Sequence, residues 1–196
     1  MSRRFRDIDD DFRRKGKRLD RALENDIPEM IAEEHRRGFR RSFREQRFYD
    51  YGSRKWEKPE RTDTGTAFPP PTRSHLTRNT LIGKAGAGGS GLQDSFKTKA
   101  TKDKVIISNT KEYAGAHNEG AKIKIPVTKD MRKFAWAMYY KSKKRGAKNY
   151  ESWKGLALTK KRSITVTIPQ RKFMGHSKKI DDNVEKEITQ ELNEIL

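Results

Sequence analysis

The stretch that most constrains the fold lies near the C-terminal end, where a strand pattern leads directly into a helix pattern. In residues 163–168, S-I-T-V-T-I, isoleucine and valine alternate with threonine, and a period of two is typical of a half-buried β-strand. Pro169 lacks the N–H that a strand ladder requires, so we expect the strand to end there. Gly175 can adopt positive φ in the following turn, and Ser177 can cap the next helix.

The helix predicted after Ser177 is amphipathic. At about 100° per residue, its apolar side chains fall within an arc of about 120°, while most of its acidic side chains lie outside that arc. Phe173, between the strand and the helix, has the position of an aromatic plug beneath this helix. The pattern therefore predicts a helix packed across a sheet, with the apolar face made by Ile180, Val184, Ile188, Leu192 and Ile195.

A second long helix is predicted from Asp26 to about Gln46. Asp26 followed by Glu29 is the pattern of a capping box, and proline is tolerated in the first turn, where Pro28 stands. Helical spacing separates an apolar side from a basic side. The apolar side consists of Ile27, Ile31, Phe39 and Phe43, and the basic side of Arg36, Arg37, Arg40, Arg41, Arg44 and Arg47.

Two interpretations of this arginine face stay open. A charge run on a core-packed helix is usually a solvated face. Alternatively, guanidinium groups make bidentate hydrogen bonds with phosphates and carboxylates, so the face is a candidate surface for DNA or for acidic side chains of another subunit.

Residues 48–103 carry mostly turn signals. We expect a short strand near Thr80–Ile82 and another near residues 92–97, joined by the glycine-rich residues 83–91. The glycine-rich run is not expected to bind nucleotide, because Lys84 stands at its front and no helix follows.

Residues 105–108 and 123–127 are predicted strands that flank Tyr113–Gly120. We expect them to pair with each other, antiparallel, at the centre of a mixed sheet. His117 lies in the intervening turn without a second ligand at metal-binding spacing, so we expect a hydrogen-bonded structural histidine.

A third helix, capped by Thr128, carries apolar side chains on two faces. One face holds Met131, Phe134, Ala135 and Met138, and another holds Trp136 and Tyr140. Such a helix is expected to be enclosed on both sides, by its own sheet and loop or by a second subunit. Residues 141–162 are strongly basic, with Trp153 as a candidate anchor for a partner. Single-stranded nucleic acid suits this mixture of aromatic and basic residues, although we favour protein.

Composition limits the classes of function. The 196 residues are only 32% hydrophobic and 37% charged, and the net charge of +19 indicates a polyanionic partner, an acidic protein surface, or both. No cysteine is present, which excludes disulfides and thiol catalysis. No apolar run approaches the ~20 residues of a membrane span, so we expect synthesis in the cytoplasm and no membrane contact. No catalytic, cofactor-binding or metal-ligating constellation is evident, and we expect a protein that is not an enzyme.

Four short motifs occur in a definite order. Residues 43–56 form an aromatic segment ending in tryptophan, residues 91–96 read G-L-Q-D-S-F, residues 113–120 read Y-A-G-A-H-N-E-G, and residues 168–175 read I-P-Q-R-K-F-M-G. This order resembles the phage virion morphogenesis family, the tail completion proteins of Mu-like phages, over residues 26–196. The structural positions of the motifs are Tyr113, His117, Gly120, Pro169, Arg171, Phe173 and Gly175.

The pattern and the resemblance together predict an α+β fold, with a mixed, mainly antiparallel sheet packed by the long N-terminal helix and the C-terminal amphipathic helix. Residues 1–25 are expected to form a basic helical arm, fixed by a neighbouring subunit or mobile. Residues 26–196 are expected to form one domain, with a helical and basic insertion at 128–162.

The resemblance implies a structural virion protein at the head–tail neck, acting as a tail terminator, a tail completion protein or a head–tail joining subunit. It also implies a homo-oligomeric ring of six copies that contacts neck, connector and tail tube proteins, with packaged DNA as a further contact. Composition alone supports equally a basic nucleic-acid-binding protein, either ribosome-associated or DNA-binding.

Overall fold

The structure is a computed structural model that describes residues 3–59, 79–82, 91–146 and 150–196, with side chains described from residue 7 onward. Helices and two small antiparallel sheets make up the fold, which confirms the predicted α+β class. The chain divides into two compact units. Unit 1 comprises the described parts of residues 1–55, 81–114 and 172–196, and unit 2 those of residues 56–80 and 115–171. The boundaries predicted at residue 25 and at 128–162 are not tested by this division and stay predictions.

Unit 1 begins with helix α1 (Arg3–Arg21), a π-helical turn (Ala22–Asp26) and helix α2 (Ile27–Glu45). Helix α2 begins at Ile27, as the sequence predicts, but the predicted cap is wrong, because Asp26 has helical φ and ψ and its side chain accepts no capping hydrogen bond. The N–H of Ile27 instead reaches back to the carbonyl of Ala22. Pro28 has no N–H and its ring would crowd the carbonyl four residues earlier, so a widened turn accommodates it without ending the helix.

The sheet of unit 1 is a hairpin of strands β1 (Phe96–Thr101) and β2 (Lys104–Asn109), here called the first ribbon. A 3₁₀ turn at Leu92–Asp94 precedes β1, so the strand predicted from residue 92 begins only at Phe96. The strand predicted at Thr80–Ile82 is absent: Thr80 and Leu81 lie in a turn, and Leu81 has a φ of 65°, which a strand does not allow. Most of the glycine-rich run, residues 83–90, lies outside the described residues.

Unit 2 contains a second pair of strands with helices between them. Helix α3 (Ala114–Asn118) leads to strand β3 (Ala121–Pro126), which is followed by helices α4 (Lys129–Lys144) and α5 (Tyr150–Leu158) and by strand β4 (Ser163–Ile168). Strands β3 and β4 pair antiparallel and are here called the second ribbon. Helix α6 (Lys178–Ile195) then belongs to unit 1.

The predicted pairing of residues 105–108 with residues 123–127 is wrong. Among the described strands, β2 pairs with β1, and β3 pairs with β4 across the two helices. Two residues, Lys102 and Asp103, close the first ribbon, and so short a loop makes the local pairing the least costly in chain entropy. Alternation of apolar residues indicates which face of a strand is buried, but it does not identify the neighbouring strand.

The core of unit 1 lies between α2 and α6. Phe39, Ile180 and Val184 pack with Phe48 and Tyr49, which follow α2. The helices approach closely at Gly38, where a Cβ atom would lie only 2.5 Å from Cδ1 of Ile180. The predicted apolar face of α6 is confirmed, since the side chains of its five residues are buried or partly buried.

The turn into α6 is built as the sequence predicts. Strand β4 ends before Pro169, Gly175 has a φ of 144°, and the hydroxyl of Ser177 accepts a hydrogen bond from the N–H of Ile180. The Ser177 hydroxyl also donates to the carbonyl of Tyr49. Phe173 has no exposed surface, and its ring centroid lies 5.0 Å from that of Phe43 and 6.1 Å from that of Phe96. The predicted burial of Phe173 is therefore confirmed, and the rings it contacts belong to α2 and β1, whereas its predicted position beneath α6 stays a prediction.

Helix α1 also packs within unit 1. Leu19 packs against the cluster formed by Ala22, Ile27 and Ile195. The ammonium group of Lys15 donates a hydrogen bond to the carbonyl of Leu196. The residues of α1 nearest α2 therefore have partners within the chain, whereas Ile8 and Phe12 are exposed.

Candidate partner-binding surfaces

Most of the arginine face of α2 is engaged by carboxylates of unit 1. The guanidinium of Arg36 lies 2.9 Å from Oε2 of Glu33, and that of Arg40 lies 2.6 Å from Oδ1 of Asp94. Arg37 lies 2.9 Å from the buried carboxylate of Glu34, which also accepts a hydrogen bond from Asn183. These pairs neutralise part of the face, so the solvated-face interpretation gains support.

The C-terminal end of this face is a small network around Glu45. Arg41 and Arg47 both donate to its carboxylate, and Arg41 also donates to the hydroxyl of Tyr49 and lies over the Tyr49 ring. The hydrogen bond to Glu45 raises the pKa of Arg41, while burial, Tyr49 and the Glu45 charge make smaller contributions. Burial acts to raise the pKa of Glu45, but the hydrogen bonds from the two arginines lower it overall.

Arg44 differs from the other arginines. It is exposed and makes no ion pair with any residue that the structure describes. Of the predicted partner-binding arginines Arg36, Arg40, Arg41, Arg44 and Arg47, it is therefore the one whose charge is available to a partner without breaking a described ion pair. The binding role of the group stays a prediction.

Helices α4 and α5 pack against each other within unit 2. Ala135 and Tyr139, four residues apart on α4, are buried against Trp153 and Ala157, also four apart on α5. Trp153 is only 7% exposed, and Phe134 meets its ring edge-on with centroids 5.8 Å apart. Trp153 is thus a core residue of the helix pair, and this burial does not favour its predicted role as a partner anchor.

The predicted faces of α4 need correction at two residues. Phe134 was expected on a packed face with Ala135 but is exposed, whereas the buried Tyr139 was not placed on that face. Ala135 and Tyr139 have the i, i+4 spacing of helix neighbours, and this spacing was the available signal. The predicted Thr128 cap is confirmed, because its hydroxyl accepts a hydrogen bond of 3.1 Å from the N–H of Met131.

Trp136 and Tyr140 form an aromatic pair on another face of α4. Their ring planes are inclined by 26°, with centroids 6.0 Å apart, and Tyr140 is largely exposed. The structure brings together two of the predicted partner-binding residues on this helix. Whether a second subunit encloses them stays a prediction.

Positive charge is concentrated around these elements. Residues 121–168 contain fourteen lysine and arginine residues but only two acidic residues, Asp130 and Glu151. Both carboxylates already lie near lysines of their own helices, Lys133 and Lys154. Such an excess of positive charge favours acidic partners over basic ones, and binding of an acidic partner stays a prediction.

The motif residues of unit 2 form a structural cluster. The N–H of Arg171 donates to the carbonyl of His117 at 2.7 Å, and the buried guanidinium of Arg171 donates to the carbonyl of Glu57 at 3.2 and 3.3 Å. Gly120 has a φ of 78°, and a Cβ there would lie 3.2 Å from the backbone nitrogen of Gln170. Burial, and then the positive charge of Arg171, lowers the pKa of His117. These contacts favour the structural interpretation of His117. Tyr113, in unit 1, is exposed.

The described residues contain no group of three or more potential metal ligands, and none of their helices combines the length and apolar character needed to span a membrane.

Comparison with known proteins identifies the family. No curated protein and no solved structure matches the chain. The model of the phage virion morphogenesis family matches residues 31–193, which include both ribbons, the helix pair and most of α2 and of α6. Because this match covers most of the 196 residues, the chain belongs to the phage virion morphogenesis family.

Proposed function

We propose that the protein is a structural subunit of a phage neck, where it completes the tail or joins the tail to the head. The observation that carries the proposal is the family match, which extends over elements of both compact units. Membership of a virion morphogenesis family supports a role in the particle or its assembly. The tail-completion role and the location at the neck are the parts of the proposal that need a test.

The subunit acts in this proposal as part of a homo-oligomeric ring of six copies. Two features support contacts with other subunits: the exposed Tyr140, stacked with the partly buried Trp136 on α4, and the lean, highly charged composition. Heterologous contacts between identical subunits close into rings when the rotation allows it. Connector and tail tube proteins are the proposed neighbours above and below the ring.

The experiment is deletion of the gene from a phage that encodes it, followed by electron microscopy of the lysate. We expect DNA-filled heads and separate tails that do not join, with joining restored when the chain is supplied in trans. Tails of abnormal length would indicate the tail-terminator form of the role. Intact infectious particles from the deletion phage would contradict the proposal.

Nucleic-acid binding is the second candidate, favoured by the fourteen basic and two acidic residues of 121–168 and by the exposed Tyr140 among them. Under this candidate the deletion phage would join heads to tails but lose DNA retention. The purified chain would bind DNA with a steep dependence on salt concentration.

A further inference from the structure

The second ribbon has one face that is entirely apolar. In an antiparallel pair, residues directly opposite each other lie on the same face, and every second residue along a strand shares that face. The register pairs Ala121 with Ile168, Ile123 with Val166, and Ile125 with Ile164. All six residues are apolar, and the opposite face carries Lys122, Lys124, Thr165 and Thr167. We call these six residues the apolar ribbon face.

The centre of the apolar ribbon face is exposed. Ile123 is 43% exposed and Val166, directly opposite, is 41% exposed. A two-stranded ribbon is marginally stable in water unless a helix or further strands pack on its apolar face. The exposed central pair therefore marks a place where the chain leaves apolar surface for another molecule to cover.

The first ribbon shows how this chain covers such a face. Phe96 and Ile107, on its apolar face, pack against the core cluster to which α2 contributes Phe39. The rings of Phe39 and Phe96 lie 5.8 Å apart. An amphipathic helix lying on the two strands is thus the cover that stabilises the first ribbon.

Besides an apolar surface, a partner of the second ribbon needs a charge that suits the positive charge around it. Residues 121–128 and 159–168 contain no acidic residue, and Lys160, Lys161 and Arg162 directly precede strand β4, while Lys122 and Lys124 lie on the opposite face of β3. A second copy placed with its ribbon against this one would bring two sets of like charges together, which costs free energy. An acidic partner instead gains from the same charges.

We propose that the apolar ribbon face binds an amphipathic helix of a partner protein, one whose apolar stripe is bordered by aspartate and glutamate. The helix plays on the second ribbon the part that α2 plays on the first. This inference goes beyond the proposed function, because it assigns a surface and a partner chemistry that would serve any assembly role.

The contact is small, which sets the conditions of the test. Each six-residue strand is about 20 Å long, and two strands of about 5 Å width make a face about 10 Å wide. Its area is therefore roughly 200 Å², well below the roughly 800 Å² that each partner buries in a stable complex. A single contact is therefore weak, and several subunits in one particle would strengthen it through avidity.

The test uses the full chain and three synthetic peptides of about 18 residues, with binding followed by fluorescence anisotropy. The first peptide has a leucine stripe bordered by glutamate, the second has the same stripe bordered by lysine, and the third has the composition of the first with the stripe scrambled. We expect the first to bind about tenfold more tightly than either control, a difference of about 1.4 kcal/mol. Equal binding of all three peptides would overturn the proposal.

Variants locate the site. The double variant Ile123→Thr with Val166→Thr keeps β-branched side chains in the strands while reducing the apolar surface. It should weaken binding of the glutamate peptide about tenfold. Ile106→Thr is the matched control, because Ile106 is 47% exposed on the outward face of the first ribbon, and it should bind as the wild type does. Equal losses in both variants, or no loss in the double variant, would overturn the proposal.

Two other occupants give distinct outcomes. If the wild-type chain forms a concentration-dependent dimer that the double variant abolishes, a second copy covers the face and the proposal is overturned. If a single-stranded oligonucleotide binds the wild type and loses affinity in the double variant, while the peptides are not discriminated, nucleic acid covers it and the proposal is equally overturned. The gene-deletion phenotype depends on none of these results, so the proposed function can fail or survive separately.

Discussion

The two ribbons of this chain are alike in topology and differ in what covers them. Each consists of two six-residue antiparallel strands, and each has one face richer in apolar residues. In the first ribbon that face joins the aromatic core of unit 1, whereas in the second the central pair Ile123 and Val166 is exposed. The alternation of apolar and polar residues along a strand therefore does not reveal whether its apolar face is packed in a core or exposed.

The largest expected effect comes from removing the plug of unit 1. Phe173→Ala should lower the free energy of unfolding by about 3–5 kcal/mol, because a fully buried ring in contact with Phe43 and Phe96 leaves a cavity. Urea denaturation followed by circular dichroism measures the change. An unchanged unfolding midpoint would show that the cover over the first ribbon does not depend on this ring.

A smaller loss is expected where α2 and α6 touch. Gly38→Ala places a Cβ 2.5 Å from Cδ1 and 2.7 Å from Cγ1 of the fully buried Ile180, so overpacking should cost about 1–3 kcal/mol. Gly16→Ala is the control, since a Cβ added there meets no atom within 4 Å outside its own stretch of helix. That helical substitution should stabilise the chain by about 0.5–1 kcal/mol. Thermal unfolding gives the melting temperature of each variant. Equal melting temperatures would contradict the close approach of α2 and α6 at Gly38.

Helix caps in the two units offer the next comparison. Ser177 caps α6, is fully buried and also donates to the Tyr49 carbonyl, whereas Thr128 caps the more exposed start of α4. Ser177→Ala should therefore cost about 1–2 kcal/mol, and Thr128→Ala about 0.5–1 kcal/mol. The midpoints of urea denaturation of the two variants show which substitution destabilises the chain more. A larger loss from the Thr128 change would reverse the expected order.

The smallest expected effect is a pH dependence at His117. Its pKa in the folded chain lies below the ordinary value of 6.5, mainly through burial and then through Arg171. As the pH falls below about 6.5, the unfolded chain binds the proton first, so the stability present at higher pH is progressively lost. His117→Gln should lose less stability than the wild type between about pH 7.5 and about pH 5.5. The melting temperatures of both proteins are measured across this pH range. If they fall by the same amount, the lowered pKa of His117 is contradicted.

The sequence predicted best those features that depend on neighbouring residues. Period-two alternation ending at Pro169, the Ser177 cap and the apolar face of α6 are local patterns, and the structure contains each of them. The burial of Phe173 was also predicted correctly, because removing a large aromatic side chain from water is strongly favourable.

The wrong predictions concern features that do not follow from the local sequence pattern. The partner of β2 depends on loop entropy and on what else is available to pair, so alternation at 105–108 did not reveal β1 as its neighbour. Asp26 looked like a helix cap, but the helix continues through a π turn whose hydrogen bond from Ile27 to Ala22 spans one residue more. The arginine face was predicted as a set, yet ion pairs such as Arg40 with Asp94 join residues far apart in sequence.

Native-state hydrogen exchange of the two ribbons tests the central claim most directly, because it reports the local stability of each strand pair in one experiment. The account predicts that ladder amides of the first ribbon exchange slowly, near the limit set by global unfolding, and that those of the second ribbon exchange at least about tenfold faster, by local opening. Equal protection of the two ribbons in the isolated chain would contradict the claim that the centre of the second ribbon, at Ile123 and Val166, lacks the cover that the first ribbon possesses.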